Sequence, residues 1–119
     1  MKIKKDQLTE EVNVNMEGAK DVTMKILIGP DDGSGGIIMR YFTIQKGGHT
    51  PFHIHPYEHV IKVEKGAGVA VDESGKENTI SAGESLFVKP DEKHQFKNTS
   101  EEPLEIVCVI PNPEKKGMC

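Results

Sequence analysis

Histidine is the residue type in this sequence with the greatest capacity for chemistry. His49, His53, His55 and His59 fall within 11 residues of one another, and His94 follows later in the chain. Imidazole is the commonest protein ligand for first-row transition metals. In a strand, His53 and His55 would share one face about 6.6–6.8 Å apart, so both rings could lean toward one ion. An isolated His-x-His pair is nevertheless a weak signal, because histidines also serve as packing or surface residues.

The segments that must position these histidines have the pattern of an all-β chain. Residues 60–66 alternate apolar and polar side chains with period 2, which is typical of a half-buried strand. Clusters of Gly, Pro and Asp separate the predicted strands at intervals of roughly ten residues, which indicates a sandwich or barrel. A weak helical pattern occurs only at residues 5–12. The predicted strands are 22–28, 37–44, 60–66, 68–71, 77–80, 84–88, 94–97 and 104–110.

Strand pairing could bring the histidines together. We expect the His53-x-His55 segment to be a strand that Pro56 interrupts, and we expect His59 to begin the next strand. If those two strands pair, His59 reaches the same interior point. His94 opens a later strand and shares a face with Phe96.

Length, charge and cysteine content exclude several classes of protein. The chain has 119 residues, which suits a single domain spanning 1–119. Its 15 Lys and Arg against 19 Asp and Glu give no basic footprint for nucleic acid or a membrane surface. No apolar run approaches the roughly 20 residues that span a bilayer, and the first residues have no secretory signal. Cys108 and Cys119 are too few for a disulfide framework, so we expect a reduced, cytoplasmic protein.

Two sequence motifs resemble those of the cupin superfamily. Residues 47–66 read GGHTPFHIHPYEHVIKVEKG, in which Gly47, His53, His55 and Gly66 match the first cupin motif. Residues 83–98 read GESLFVKPDEKHQFKN, which resembles the second motif. Its matching residues are Gly83, His94 and Asn98, whereas Lys89 and Asp91 stand where the family usually has Pro and Gly.

The resemblance implies a double-stranded β-helix, or jelly-roll barrel, with one divalent transition metal inside. It implies four ligands, which are His53, His55, His59 and His94, as in the small prokaryotic four-histidine cupins that bind manganese. Manganese is therefore the favoured metal, with iron, nickel, zinc and copper as alternatives. His59 occupies the position of the family's usual glutamate ligand. Glu58, one residue out of register, is the alternative ligand.

The identity of the fourth ligand affects the expected chemistry. Four neutral imidazoles leave the ion formally dipositive, which favours Lewis-acid chemistry and anion binding. An octahedral ion would keep two open positions, whereas four ligands would close a tetrahedral zinc site and make it structural. We expect a metal-dependent enzyme, oxygenase- or isomerase-like, acting on a small molecule. The alternative is a non-catalytic cupin that binds a metal or small molecule for sensing or storage.

Further candidates for the pocket are His49, Arg40, Tyr41 and Cys108. His49 is either a residue of the pocket mouth or, as we favour, a solvent-facing one. Arg40 would bind an anionic substrate if it faced inward, but the pattern slightly favours an outward side chain. Tyr41, Phe52 and Phe96 are aromatic residues that could line the pocket. Cys108 is either a small buried apolar residue or a neighbour of the metal.

Residues 37–44 and 104–110 are apolar on both faces. One face of each strand would meet the barrel interior, and the other needs a cover. A second copy of the chain is the simplest cover, so we expect a homodimer.

Overall fold

The computed structural model describes residues 1–114, and within them the chain forms nine strands and two short 3₁₀ helices. The helices are Asp6–Leu8 and Pro30–Asp32. The strands are β1 Val12–Asn13, β2 Lys20–Ile28, β3 Ile37–His49, β4 His59–Lys65, β5 Ala67–Val71, β6 Glu77–Ser81, β7 Ser85–Val88, β8 Gln95–Lys97 and β9 Leu104–Pro111. Cys119 lies outside the described residues. No helix within residues 1–114 has the length and apolar character that crossing a membrane requires.

The strands form a curled antiparallel sheet in the order β6-β5-β8-β3-β9-β4-β7, with β2 and then β1 added beside β3. β3 is the longest strand, with 13 residues, and it pairs with β2, β9 and β8. It therefore joins the strands β6, β5 and β8 on one side to the strands β9, β4 and β7 on the other. The fold is all-β and of the jelly-roll barrel type, as the sequence predicts.

Alternating side chains of the central strands fill the barrel. In β9, Leu104, Ile106, Cys108 and Ile110 are buried and the residues between them are partly exposed. In β4, His59 lies on the same inward face as the buried apolar residues that follow it. Burying each large aliphatic side chain contributes roughly 1.5–3 kcal/mol to folding. The same alternation that builds the core thus points a histidine into the barrel.

A sharp corner at Gly66 turns the chain from β4 into β5. Gly66 has φ +84°, and a Cβ atom there would lie 2.3 Å from the carbonyl oxygen of Pro103. Any other residue would therefore be strained and would collide with the backbone. The family resemblance includes this glycine in the first motif, and the corner gives its physical reason.

The structure differs from the sequence-based prediction in three segments, which are residues 5–12, the end of β3 and the His53-x-His55 segment. The weak helix predicted for 5–12 is limited to one 3₁₀ turn, and β1 follows it in place of further helix. β3 continues five residues beyond the predicted end at 44, because Gly47 takes a φ of +77° and lets the strand bend and stay paired. The His53-x-His55 segment is outside the regular strands.

A row of apolar side chains crosses the outside of five neighbouring strands. Direct register partners connect Ile28 to Met39, Met39 to Val109, Val109 to Val60, and Val60 to Phe87. We call these five residues the outer apolar row. Val60 is 55% exposed and Phe87 is 58% exposed. Because β3 and β9 are apolar on both faces, apolar side chains remain exposed to solvent on the outside of the single chain.

Candidate metal centre

A cavity of about 370 Å³ lies inside the barrel. His53, His55, His59 and His94 all line it. The rest of the lining is mostly apolar, with contributions from β3, β9 and the segment around β1. Four of the five histidines of the chain thus face the same cavity.

The segment from Pro51 to His59 presents every second side chain to the barrel. Pro51, His53, His55, Tyr57 and His59 are buried or partly buried, and the residues between them are exposed. The alternation predicted for His53 and His55 is therefore present. The segment is nevertheless not a strand, which corrects the sequence-based expectation. Prolines at 51 and 56 lack the N–H groups that a continuous ladder needs.

His59 and His94 reach the cavity by routes that differ from the expected one. His59 is the first residue of β4, but its register partner is Val88 of β7 and not the His53-x-His55 segment. His94 stands immediately before β8 and forms an isolated antiparallel bridge with His53. The barrel brings the four rings together from different parts of its wall, and no direct pairing of the His53 and His59 segments is involved.

The spacing of the rings suits ligands around one ion. A metal–nitrogen bond of about 2.0–2.1 Å separates adjacent ligand rings by about 4.5 Å and opposite rings by about 6.4 Å. The centroid separations are 4.3 Å for His53–His55, 4.7 Å for His59–His94, 5.2 Å for His53–His94, 5.4 Å for His55–His59 and 6.1 Å for His55–His94. Among residues 1–114, however, no group of three or more His, Cys, Asp or Glu side chains already has the geometry to hold a metal ion. The rings would have to turn to direct their nitrogens to a common point.

The environment keeps these imidazoles neutral, which is the form that binds metals. Burial lowers the pKa of His59 to about 3 and that of His53 to about 4, and the neighbouring positive charges act in the same direction. Burial also lowers the pKa of His55 and of His94. Arg40 contributes to the lowered pKa at all four positions, so its charge lies close to the cluster.

Hydrogen bonding orients His94 and leaves a nitrogen of His59 without a partner. The Nδ1–H of His94 donates to the carbonyl oxygen of Glu92 at 2.8 Å, which leaves its Nε2 lone pair free. Nδ1 of His59 is buried and has no hydrogen-bond partner. Buried polar atoms without a partner are uncommon in folded proteins. Binding of a metal ion by His59 would satisfy such an atom, and the donor set therefore fits a transition metal.

Arg40 of β3 and Cys108 of β9 are register partners on adjacent strands, and both line the cavity. The Nη2 group of Arg40 donates to Sγ of Cys108 at 3.2 Å. Arg40 thus faces inward, contrary to the orientation that the sequence slightly favours, because it shares the inward face of β3 with Phe42 and Ile44. Cys108 is buried and lies beside the arginine, and burial raises the pKa of its thiol.

Other candidates lie away from the cavity. The hydroxyl of Tyr41 donates to Glu105 at 2.7 Å on the outer face of β3, so the prediction that it lines the pocket is wrong. His49 does not line the cavity, and its Nδ1 lies 3.3 Å from the carbonyl oxygen of Thr50. Phe52 is exposed, with Lys93 against its ring. Glu58 is exposed and outside the lining, which favours His59 over it.

The sequence-based interpretation missed one side of the cavity. Asn13, Val14, Asn15 and Met16 line it next to the histidines. Residues 12–16 read VNVNM, a short alternation of apolar and polar residues that is a weak strand signal. Tyr57, which the sequence places beside the ligand histidines, also lines the cavity, and its ring stacks on His55 with centroids 4.9 Å apart and a 12° interplanar angle.

Comparison with known proteins places these features in one family. A family model described as the cupin domain matches residues 40–110. Auxin-binding protein 1 of Arabidopsis thaliana is 33% identical over 82 residues, which are 62% of this chain. This chain spans only 41% of that relative's length.

Two solved structures are similar over nearly the whole chain. The polyketide cyclase RemF from Streptomyces resistomycificus has a TM-score of 0.88 and 28% identity, and the match covers 93% of this chain and 79% of that one. A predicted oxalate decarboxylase from Thermotoga maritima has a TM-score of 0.83 and 24% identity, with 92% and 98% covered. The family match extends over more than half of the chain and includes both histidine motifs, and this protein belongs to the cupin family.

Proposed function

We propose that this cupin binds one divalent transition metal through His53, His55, His59 and His94. The observation that supports it most is the convergence of four neutral imidazoles on a cavity of about 370 Å³. Manganese is the favoured metal, because the set resembles that of the four-histidine manganese cupins, and iron, nickel, zinc and copper are the alternatives. The buried Nδ1 of His59, which has no hydrogen-bond partner, supports the inclusion of His59 among the ligands.

We further propose that the protein is an enzyme acting on a small molecule, with oxygenase- or isomerase-like chemistry. A bound dipositive ion with four neutral ligands would supply a Lewis acid that polarises oxygen atoms of the substrate. The chain's own contribution is to fix His94 through Glu92, to exclude water with apolar walls such as Phe96, and to place the charge of Arg40 nearby. The name of the solved structure that is 28% identical, a polyketide cyclase, supports an enzymatic role in general.

A test of the enzymatic proposal compares metal-free protein with protein loaded separately with manganese, iron and zinc. Each form is incubated with a panel of enolic, phenolic and carboxylic small molecules, with and without O₂, and products are followed by mass spectrometry. We expect turnover only with loaded protein. Absence of metal-dependent turnover with every metal would contradict the enzymatic proposal.

Non-catalytic binding is the second candidate, and one comparison favours it. The curated relative is named for binding a small molecule. A cavity closed on one side by Asn13 and its neighbours could retain a ligand without reaction. Binding that leaves the ligand chemically unchanged in the loaded protein would favour this candidate over the enzyme.

We also propose that the protein is a homodimer, joined through the outer apolar row. The row presents Met39, Val60 and Phe87 at the surface of a single chain, and a second copy would cover the same residues on both partners. A cytoplasmic location is our proposal as well, supported by Cys108, which is a free thiol.

A further inference from the structure

Arg40 has no negatively charged partner in the cavity. The residues lining that cavity in the described part of the chain include no aspartate or glutamate. None of the ion pairs found among residues 1–114 involves Arg40. Cys108, its hydrogen-bond acceptor, is a neutral thiol at pH 7 because burial raises its pKa.

The hydrogen-bonding capacity of Arg40 is also incompletely used. Its Nε is buried and has no partner, whereas Nη2 is held by Cys108. The guanidinium lies over the ring of Phe42, with Cζ 5.0 Å from the centroid. Such a cation–π contact stabilises the charge but accepts no N–H bond. A charged group held in an apolar interior with an open donor is costly, and a ligand that accepts that bond would offset the cost.

The rest of the cavity lining indicates what kind of ligand body the cavity accepts. Met16, Met24, Phe42, Phe96 and Ile106 supply apolar and aromatic surface. The volume of about 370 Å³ is near the lower end for small-molecule sites, which span roughly 300–1,000 Å³. The cavity therefore suits a small molecule with an apolar or aromatic body.

We propose that Arg40 recognises a single acidic oxygen group, a carboxylate or an ionised enol or phenol, on a small and mainly apolar ligand held beside the four histidines. Cys108 positions the guanidinium by accepting from Nη2, and the other N–H groups of the guanidinium donate to the ligand after a small adjustment of the side chain that also brings the unpartnered Nε into reach. The proposal rests on the proposed function in assigning that ligand to the metal cavity. Beyond that function, the proposal specifies that the ligand is negatively charged and that Arg40 selects it.

The test uses benzoate and benzamide, which match in size and differ in charge. Dissociation constants are measured by NMR titration at pH 7 and low salt, for wild-type protein in metal-free and zinc-loaded forms. We expect benzoate to bind about tenfold or more tightly than benzamide, because hydrogen bonds to a charged group are the stronger ones. In the metal-free form, Arg40→Met should reduce this ratio to near one, and Lys62→Met, which removes an exposed cation of β4, should leave it unchanged.

The outcomes separate this inference from the proposed function. Only the metal-free form decides the role of Arg40, because a bound zinc ion would itself favour benzoate. A metal-free wild-type ratio near one overturns that role, and so does a ratio that survives in folded, metal-free Arg40→Met protein. If Arg40→Met fails to fold, the metal-free wild-type ratio decides. Zinc content is measured on the same samples. A wild-type protein that takes up no zinc but still prefers benzoate contradicts the metal site and supports anion recognition by Arg40.

Discussion

His53 and His94 are joined through their backbones. The N–H of His53 donates to the carbonyl oxygen of His94 at 3.1 Å, and the N–H of His94 donates to that of His53 at 3.0 Å. Their rings face the same cavity with centroids 5.2 Å apart. This isolated bridge fixes the two cupin motifs relative to each other at the point where both contribute a candidate ligand.

His59→Ala should remove most of the metal affinity. The other three imidazoles remain, but the replacement deletes the ring whose buried Nδ1 lacks a partner. Loss of a ligand should weaken binding by on the order of 100-fold or more, because even residues that only support ligands cost 10–100-fold. Manganese affinity is measured by equilibrium dialysis with elemental analysis. His49→Ala is the matched control and should bind as wild type, and unchanged affinity in His59→Ala would refute the assignment.

The lowered histidine pKa values predict how metal binding depends on pH. A free imidazole has a pKa of about 6.5, so ordinary histidine ligands begin to lose metal to protons near pH 6. Here the pKa is about 4 at His53 and about 3 at His59, because burial disfavours the charged rings. Protons therefore compete only at lower pH, and affinity should stay nearly constant from pH 7.5 to about pH 6 and decline below about pH 5. Manganese titrations across this range test it, and a steep decline between pH 7 and 6 is incompatible with it.

Asp32 should make the stability of the fold depend on pH in the acid range. Its carboxylate accepts from the backbone N–H of Gly29 at 3.0 Å and pairs with Lys4 and Lys2, each at 3.1 Å. The Gly29 hydrogen bond, followed by the two lysines, lowers the pKa of Asp32 from 3.8 to about 2. A carboxyl group whose pKa is lower in the folded state contributes stability above its unfolded pKa and loses it as the pH falls from about 4 to about 2.

Asp32→Asn should therefore lower the urea midpoint at pH 7, and the difference from wild type should shrink as the pH approaches 2. Urea unfolding at pH 7 and at pH 2.5 measures both differences. Asp31→Asn changes the adjacent exposed residue and should have little effect at either pH. An Asp32→Asn effect of equal size at both pH values would mean that the charge of this carboxylate is not its cause.

The outer apolar row should control the oligomeric state. Light scattering after size exclusion should give twice the chain mass of 13.1 kDa for wild type. Val60→Lys combined with Phe87→Glu places charges at two exposed positions of the row and should give the mass of one chain. Glu73→Lys, in the exposed turn between β5 and β6, should remain dimeric. A wild-type protein that is monomeric at high concentration would contradict the proposed interface.

Much of the fold could be predicted because turn residues and strand periodicity agree with each other. The alternation in β4 gives both its burial pattern and the inward direction of His59. The glycine at 66 marks the corner that follows it. Local patterns of this kind are sufficient where one face of a strand is apolar and the other is polar.

The pattern failed where both faces are apolar or where prolines interrupt pairing. β3 has apolar residues on each side of Arg40, so its sequence does not show which face is inside. The direction becomes clear only from the register of Arg40 with Cys108. Between Pro51 and His59 the alternation of inward and outward side chains could be predicted. The pairing partners of this segment are distant in sequence, however, so no local pattern could show the bridge from His53 to His94.

The X-ray absorption spectrum of the manganese-reconstituted protein, recorded with its metal content, tests the central claim most directly. We predict one manganese ion per chain with four imidazole nitrogens among its ligands, and loss of one imidazole contribution in His59→Ala. A protein that retains no manganese, or a bound ion surrounded by oxygen ligands without imidazole, would contradict a metal centre built from His53, His55, His59 and His94.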